Sequence, residues 1–304
     1  MDRLIRSIRA NRRTTSFLVA FFFVAAFGLT ENLACQNAVH GALELTSGLG
    51  RKLYALPDDK TVTDARKSLA ADPKNVSLVL QLAHAQAARR QYKEAVATAT
   101  AGLVFAPDNG DLYLERGHRE LGLREFTRAM KDLQQATRLA PQMLDAHYHL
   151  GLAHYFLGEF DAAAASFNQA RSLAKNDDSL IDCSNWLYVS LRRAGKENQA
   201  EQVLARITPE VKNTEPHLYF YLRLLHFYQG KLTAQAVLPP RPAPADLEAE
   251  LAFDTVTYGV GNWRVYHHDR LSAMDLFRRV MGGEAWNSWG FIGSEQELLH
   301  GKQE

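Results

Sequence analysis

The sequence predicts an all-α fold, an α-α superhelix of helix-turn-helix repeats carrying one irregular helical insertion. Two observations lead there. Pro73, Pro107 and Pro141 stand 34 residues apart, as do Ala95, Ala129 and Ala163, the aromatics Tyr92, Phe126 and Phe160, and the small residues Ala83, Gly117 and Gly151. Registers agreeing at one step of this length mark a stacked array. Composition is the second observation: 46% hydrophobic and 23% charged residues are globular values, and two cysteines supply no disulfide framework.

The segments follow in chain order. Within residues 1–34, Arg3, Arg6, Arg9, Arg12 and Arg13 precede Ser16 to Leu29, 14 mostly apolar residues. That pattern is a signal sequence or an N-terminal membrane anchor. It falls short of the roughly 20 apolar residues of a membrane span, yet either form places the bulk of the chain outside the cytoplasm. The expected location is the periplasm or cell envelope. Asn32-Leu-Ala-Cys35 resembles a lipoprotein box with Asn32 where the pattern wants Leu, so Cys35 is a candidate for lipidation. Ala26-Phe-Gly28 offers ordinary cleavage instead, and both routes stay open. Residues 36–72 read as a degenerate capping hairpin, with 36–56 and 61–71 as its two arms.

Residues 76–175 hold three regular repeat units. The small residues let paired helices approach, the aromatics wedge the turns, and each proline stops a second helix because it lacks an amide hydrogen and clashes with the preceding turn. A fourth unit over 178–214 repeats the turn pattern at Gly195 and Ala200, slipped by three residues. Residues 215–250 comprise an irregular apolar helix (217–229) and the linker Leu238-Pro-Pro-Arg-Pro-Ala-Pro244, stiff and extended. A fifth unit and a capping helix fill 254–300, with Gly261, Ala273 and Phe277 in the packing slots.

This period and these slots resemble the tetratricopeptide repeat (TPR) family, most specifically over residues 76–175. The resemblance implies stacked hairpins with a concave groove and a role in binding other proteins. The N-terminal segment followed by interrupted repeats is also similar to NlpI-like bacterial TPR lipoproteins, which scaffold cell-wall hydrolases and a protease; envelope enzymes of those kinds are the partners that likeness implies. TPR domains that grip chaperone C-termini use Lys, Asn and Arg where this chain has Leu80, His84, Glu115, Asp145 and His149. Those positions lack the cations that would hold a carboxylate.

Residues 147–156 crowd three histidines among aromatics. His147 and His154 lie about 700° apart along a helix and share a face, whereas His149 points nearly opposite His147. The three therefore do not converge on one ion, and both face-sharing histidines fall in packing slots. The groove-facing slots are instead His84 and His118, 34 residues apart, with Asp111, Glu115, Asp145, Tyr148, Leu152 and Tyr155 around them. A mildly acidic, aromatic-bearing groove suits a peptide or partner helix with basic and apolar side chains.

Formal net charge is +1, which gives no electrostatic footprint for nucleic acid. Gly259-Val-Gly261 lacks the rest of a dinucleotide fingerprint, and no cofactor or metal is expected. The reading is an exported, non-enzymatic adaptor. Two alternatives stand beside it: an envelope enzyme using His226, His267 and His268 in the irregular C-terminal segment, and self-association through the terminal helix, where Trp286 and Trp289 would otherwise face solvent.

Overall fold

The computed structural model describes residues 41–212, 219–243 and 246–301. The arginine-rich segment, the apolar run and Cys35 lie outside the described residues, as do His217 and Pro244. The chain is an all-α solenoid of antiparallel helix pairs. Helices α1 (Lys60–Ala71), α2 (Val76–Ala88), α3 (Tyr92–Phe105), α4 (Gly110–Gly122), α5 (Phe126–Leu139), α6 (Leu144–Phe156) and α7 (Phe160–Ser172) form the regular stack. Next come α8 (Asp177–Arg193), α9 (Glu197–Leu204), α10 (Tyr219–Tyr228), α11 (Ala234–Val237), α12 (Leu247–Tyr266), α13 (Arg270–Met281) and α14 (Trp289–His300).

Local chemistry sets the boundaries. Asn75, Asn109 and Asn176 accept backbone amide hydrogens at the starts of α2, α4 and α8, satisfying donors that have no partner inside the helix. Each turn inside a regular pair passes through the left-handed region, at Arg90 (φ 57), Arg124 (φ 64) and Gly158 (φ 78). The periodic residues meet as expected. Ala83, Ala95, Ala129 and Ala163 are fully buried, and a Cβ on Gly151 would lie 2.8 Å from the Phe167 ring. Among the described residues, no helix is long and apolar enough to cross a membrane.

Two expectations are corrected. Residues 36–56 were to be a helical arm, but Leu43–Thr46 (β1) and Lys52–Tyr54 (β2) form an antiparallel β-hairpin with Leu45 opposite Leu53. The alternation in Leu43-Glu-Leu-Thr is a strand period, and Gly50, at φ +87, closes the turn. Second, the solenoid does not end in an exposed cap. Trp286 is buried against Tyr92, ring centroids 5.3 Å apart, and its Nε1 donates to Tyr54 O at 3.2 Å. Trp289 is half-buried against His118 at 5.5 Å. The tryptophans pack inside their own chain, which removes the premise for self-association through this helix.

The C-terminal helices return across the concave face and meet the N-terminal hairpin. Gly48 N donates to Glu295 Oε1 at 2.8 Å, and Arg124 Nε lies 2.9 Å from the other oxygen of that fully buried carboxylate. Arg51 reaches Glu284 at 2.8 Å. Arg193 pairs with Glu297 and donates to Asn262 Oδ1 at 3.0 Å. Each contact joins segments far apart in sequence, and together they close the superhelix on itself.

Candidate functional site

Closure divides the eight groove candidates. Asp111 and Asp145 are exposed in the first turns of α4 and α6, and the His84 side chain is exposed on α2. Leu152 and Tyr155 are buried to 0% and 4% exposure, so they do not face an open groove. The Tyr155 hydroxyl accepts from Tyr258 at 2.9 Å and from Asn262, both on α12. An apolar concave face gains by leaving water, and helices from the same chain cover it. Close approach between α12 and α14 makes this possible: a Cβ on Gly290 would lie 2.3 Å from Asp254 O. Glu115 and Tyr148 are buried at the edge of this covered zone, at 3% and 6%.

Beside it a cleft of about 590 Å³ remains open. Its solenoid wall carries His84, His118, Tyr148 and Asp182, and its opposite wall carries Leu251, Thr255 and Trp289. Three of the eight candidates, His84, His118 and Tyr148, therefore share one cavity. Phe220 and Tyr221 on α10 and Leu247 on α12 complete its aromatic and apolar lining. Leu247 and Leu251, one helical turn apart, are 38% and 40% exposed at the cleft.

Charges in the cleft are unevenly committed. Arg119 grips Glu115 through two bonds of 2.8 and 3.0 Å, and His84 Nε2 stands 3.0 Å from Glu115 Oε2. Burial alone would raise the Glu115 pKa, but bonds from His84 and Arg119 hold it down at about 2. Arg90 Nη1 donates to Glu284 O at 3.0 Å, with its guanidinium 6.0 Å from the Trp286 ring centre. Asp182 differs. It accepts a hydrogen bond from the neutral Tyr148 hydroxyl at 2.9 Å. Burial pushes its pKa up to about 7, with the Tyr148 bond opposing the shift and Asp145 adding to it.

His84 and His118, expected to face the groove from adjacent repeats, both line the cleft, but their contacts differ. His118 stacks on His149, ring centroids 4.0 Å apart, and both meet Trp289. Burial lowers both histidines, His149 to about 4, so the stack is neutral at pH 7. His147 Nε2 lies 3.0 Å from Pro141 O, and His154 Nδ1 lies 2.6 Å from Glu159 Oε2. Both are half-buried and bound to turn residues. Among the described residues, no group of three or more ligating side chains could hold a metal. His226, His267 and His268 are not among the cleft lining; His267 stacks on Trp263 at 4.0 Å and bonds to its carbonyl.

Sequence reasoning missed His149, Asp182, Phe220, Tyr221, Leu247, Leu251 and Trp289. One of them was recoverable. Asp182 lies 37 residues after Asp145, the repeat step plus the three-residue slip of the fourth unit, so it continues the column Asp111, Asp145. The others belong to non-periodic segments or, for His149, to a slot that is not normally groove-facing.

The tetratricopeptide repeat family model matches residues 114–178. No curated protein matches the chain. Among solved structures the chain is similar to MamA, at 20% identity over 56% of this chain and 90% of that one, with a TM-score of 0.43. It is similar to YrrB, described as a TPR protein with an unusual peptide-binding site, at 14% identity over 80% and 100%, TM-score 0.45. A tetratricopeptide repeat protein from Parabacteroides merdae ATCC 43184 is similar at 17% identity over 76% and 90%, TM-score 0.48.

Proposed function

We propose that this protein is an adaptor that holds a segment of another protein in the cleft between its repeats and its C-terminal helices. The observation that carries the reading is the cleft itself: about 590 Å³, walled by several helices of the stack, with Leu247 and Leu251 exposed at its edge. A concave site with an apolar lining and a few directed polar groups is the usual form of a binding site. The TPR sequence over 114–178 supports the same reading, since such repeats serve to bind other proteins. The test is a photo-crosslinking residue placed at Leu251 or at Val104, which is 83% exposed on α3. Specific adducts from the first position and none from the second are expected. Equal labelling, or none from Leu251, sinks the proposal.

Export belongs to the proposal and rests on residues 1–35, with tethering through either the apolar run or a lipid on Cys35. Mass spectrometry of the mature N-terminus separates lipidation, cleavage and an intact anchor. An unprocessed chain recovered entirely from the cytoplasm overturns export. The adaptor carries no chemistry of its own, so substrate turnover abolished by His267→Ala would overturn that part.

A further inference from the structure

We propose that the cleft selects a cationic side chain, a lysine or arginine of the bound segment, through Asp182 and the aromatic residues beside it. The inference rests on the adaptor reading and specifies its ligand.

The fold gives Asp182 one role, accepting the Tyr148 hydroxyl, and that role does not call for a charge. Asp111 and Asp145 sit in the first turns of their helices, where a carboxylate is favoured by the helix dipole and solvated. Asp182 is the sixth residue of α8, beyond the first turn held by Asp177 and Asp178, so the dipole does not account for it. It is half-buried and lines the cleft. Among the described residues, no cation lies within ion-pair distance of it, although Arg119 and Arg90 border the same cavity. Arg119 is neutralised by Glu115 and Arg90 is anchored to the Glu284 carbonyl. A half-buried carboxylate without a counter-ion is unfavourable, and an incoming ammonium or guanidinium removes that penalty.

The surroundings fit such a group. Tyr148, hydrogen-bonded to Asp182, lines the cleft with Phe220 and Tyr221 from α10. Aromatic faces attract cations, and the aliphatic stem of a lysine or arginine matches Leu251 and Ala252 across the cleft. Asp145 from α6 adds negative charge at Asp182, and Glu248 from α12 lines the same cleft. The groups facing Asp182 are therefore Asp145 and Tyr148 on α6, Tyr221 on α10 and Cys183 on its own helix. All are neutral or acidic. Raising the pH from 6 to 8 ionises Asp182 and strengthens binding of a cation.

A random peptide library displayed on phage and selected against the full-length protein tests this. Expected are lysine or arginine enriched at one position next to apolar residues, and loss of that enrichment when selection uses Asp182→Asn. A selected lysine peptide should bind roughly tenfold or more weakly to Asp182→Asn. Its affinity for wild type should rise between pH 6 and 8 but stay level with the variant. Asn still accepts the Tyr148 bond, and circular dichroism of the variant checks its fold. Peptides selected without a basic position, or with one unaffected by Asp182→Asn, overturn the cation site while leaving the adaptor. Failure to select any peptide overturns both.

Discussion

Arg90 and Arg124 occupy a backbone position that Gly158 fills at the same place in the next repeat. A left-handed conformation costs a side-chain-bearing residue about 1 kcal/mol or more, so each arginine must gain elsewhere. Arg124 does so through Glu295, with a further bond to Trp286 O at 3.0 Å. Replacing it by Gly relieves the backbone yet leaves the buried Glu295 carboxylate half-satisfied. Arg124→Gly should lose about 3–5 kcal/mol in chemical denaturation, whereas Arg90→Gly should change stability by less than about 1 kcal/mol, because Arg90 holds one carbonyl and a distant ring. Equal effects would show that Glu295 is not the anchor.

Asp254 offers a residue-scale test by pH. It is fully buried, bonded to Ser288 Oγ at 2.7 Å, and burial pushes its pKa up to about 7. The folded state then holds a proton that the unfolded state has released. Stability contributed by this group falls as pH rises from about 4 to 7 and is level above that. Asp254→Asn keeps an acceptor for Ser288 without the charge. Its gain in Tm should grow through that window and persist at pH 8.5; a gain independent of pH would contradict the assignment. Glu115 has the opposite sign: its pKa is depressed, so its contribution is present above about pH 4.5 and is lost as pH falls towards 2.

At the scale of elements, the helix pairs pack closely because of what their small residues lack. Gly151 lets α6 meet Phe167 on α7, and an added methyl would have to displace that ring. Gly151→Ala should destabilise by about 1–3 kcal/mol through overpacking. Gly158→Ala meets no atom within 4 Å, and its cost, about 1 kcal/mol, comes from φ alone. Thermal denaturation of the two variants separates packing from backbone strain. These slots were legible because each repeats a residue type at a fixed step. The N-terminal β-hairpin was not: strands of four and three residues are too short for alternation to outweigh neighbouring helical periodicity.

For the whole molecule, closure decides what the concave face can do. Helix α14 is the last element described, and chain ends ordinarily fray. Here Phe291, Ile292 and Glu295 are fully buried and Glu297 is held by Arg193. Amide hydrogens of α14 should therefore exchange nearly as slowly as those of α6. Fast exchange confined to α14 would mean that the groove is open in solution and that Leu152 and Tyr155 are available to a partner after all.

Periodicity alone carries the all-α stack, the small-residue slots, the turns and the aspartate column. Each depends on contacts within one repeat or between neighbours, and so leaves a trace at a constant step. The covering of Leu152 and Tyr155, the neutral His118–His149 stack, the Arg124–Glu295 anchor and the cleft at Asp182 needed the tertiary structure. The His118–His149 contact joins neighbouring repeats off the 34-residue step. The covering, the anchor and the far wall of the cleft arise where the C-terminal helices meet the repeats and the N-terminal hairpin, through single contacts spanning up to 247 residues. A contact made once, between segments so far apart, has no period to betray it.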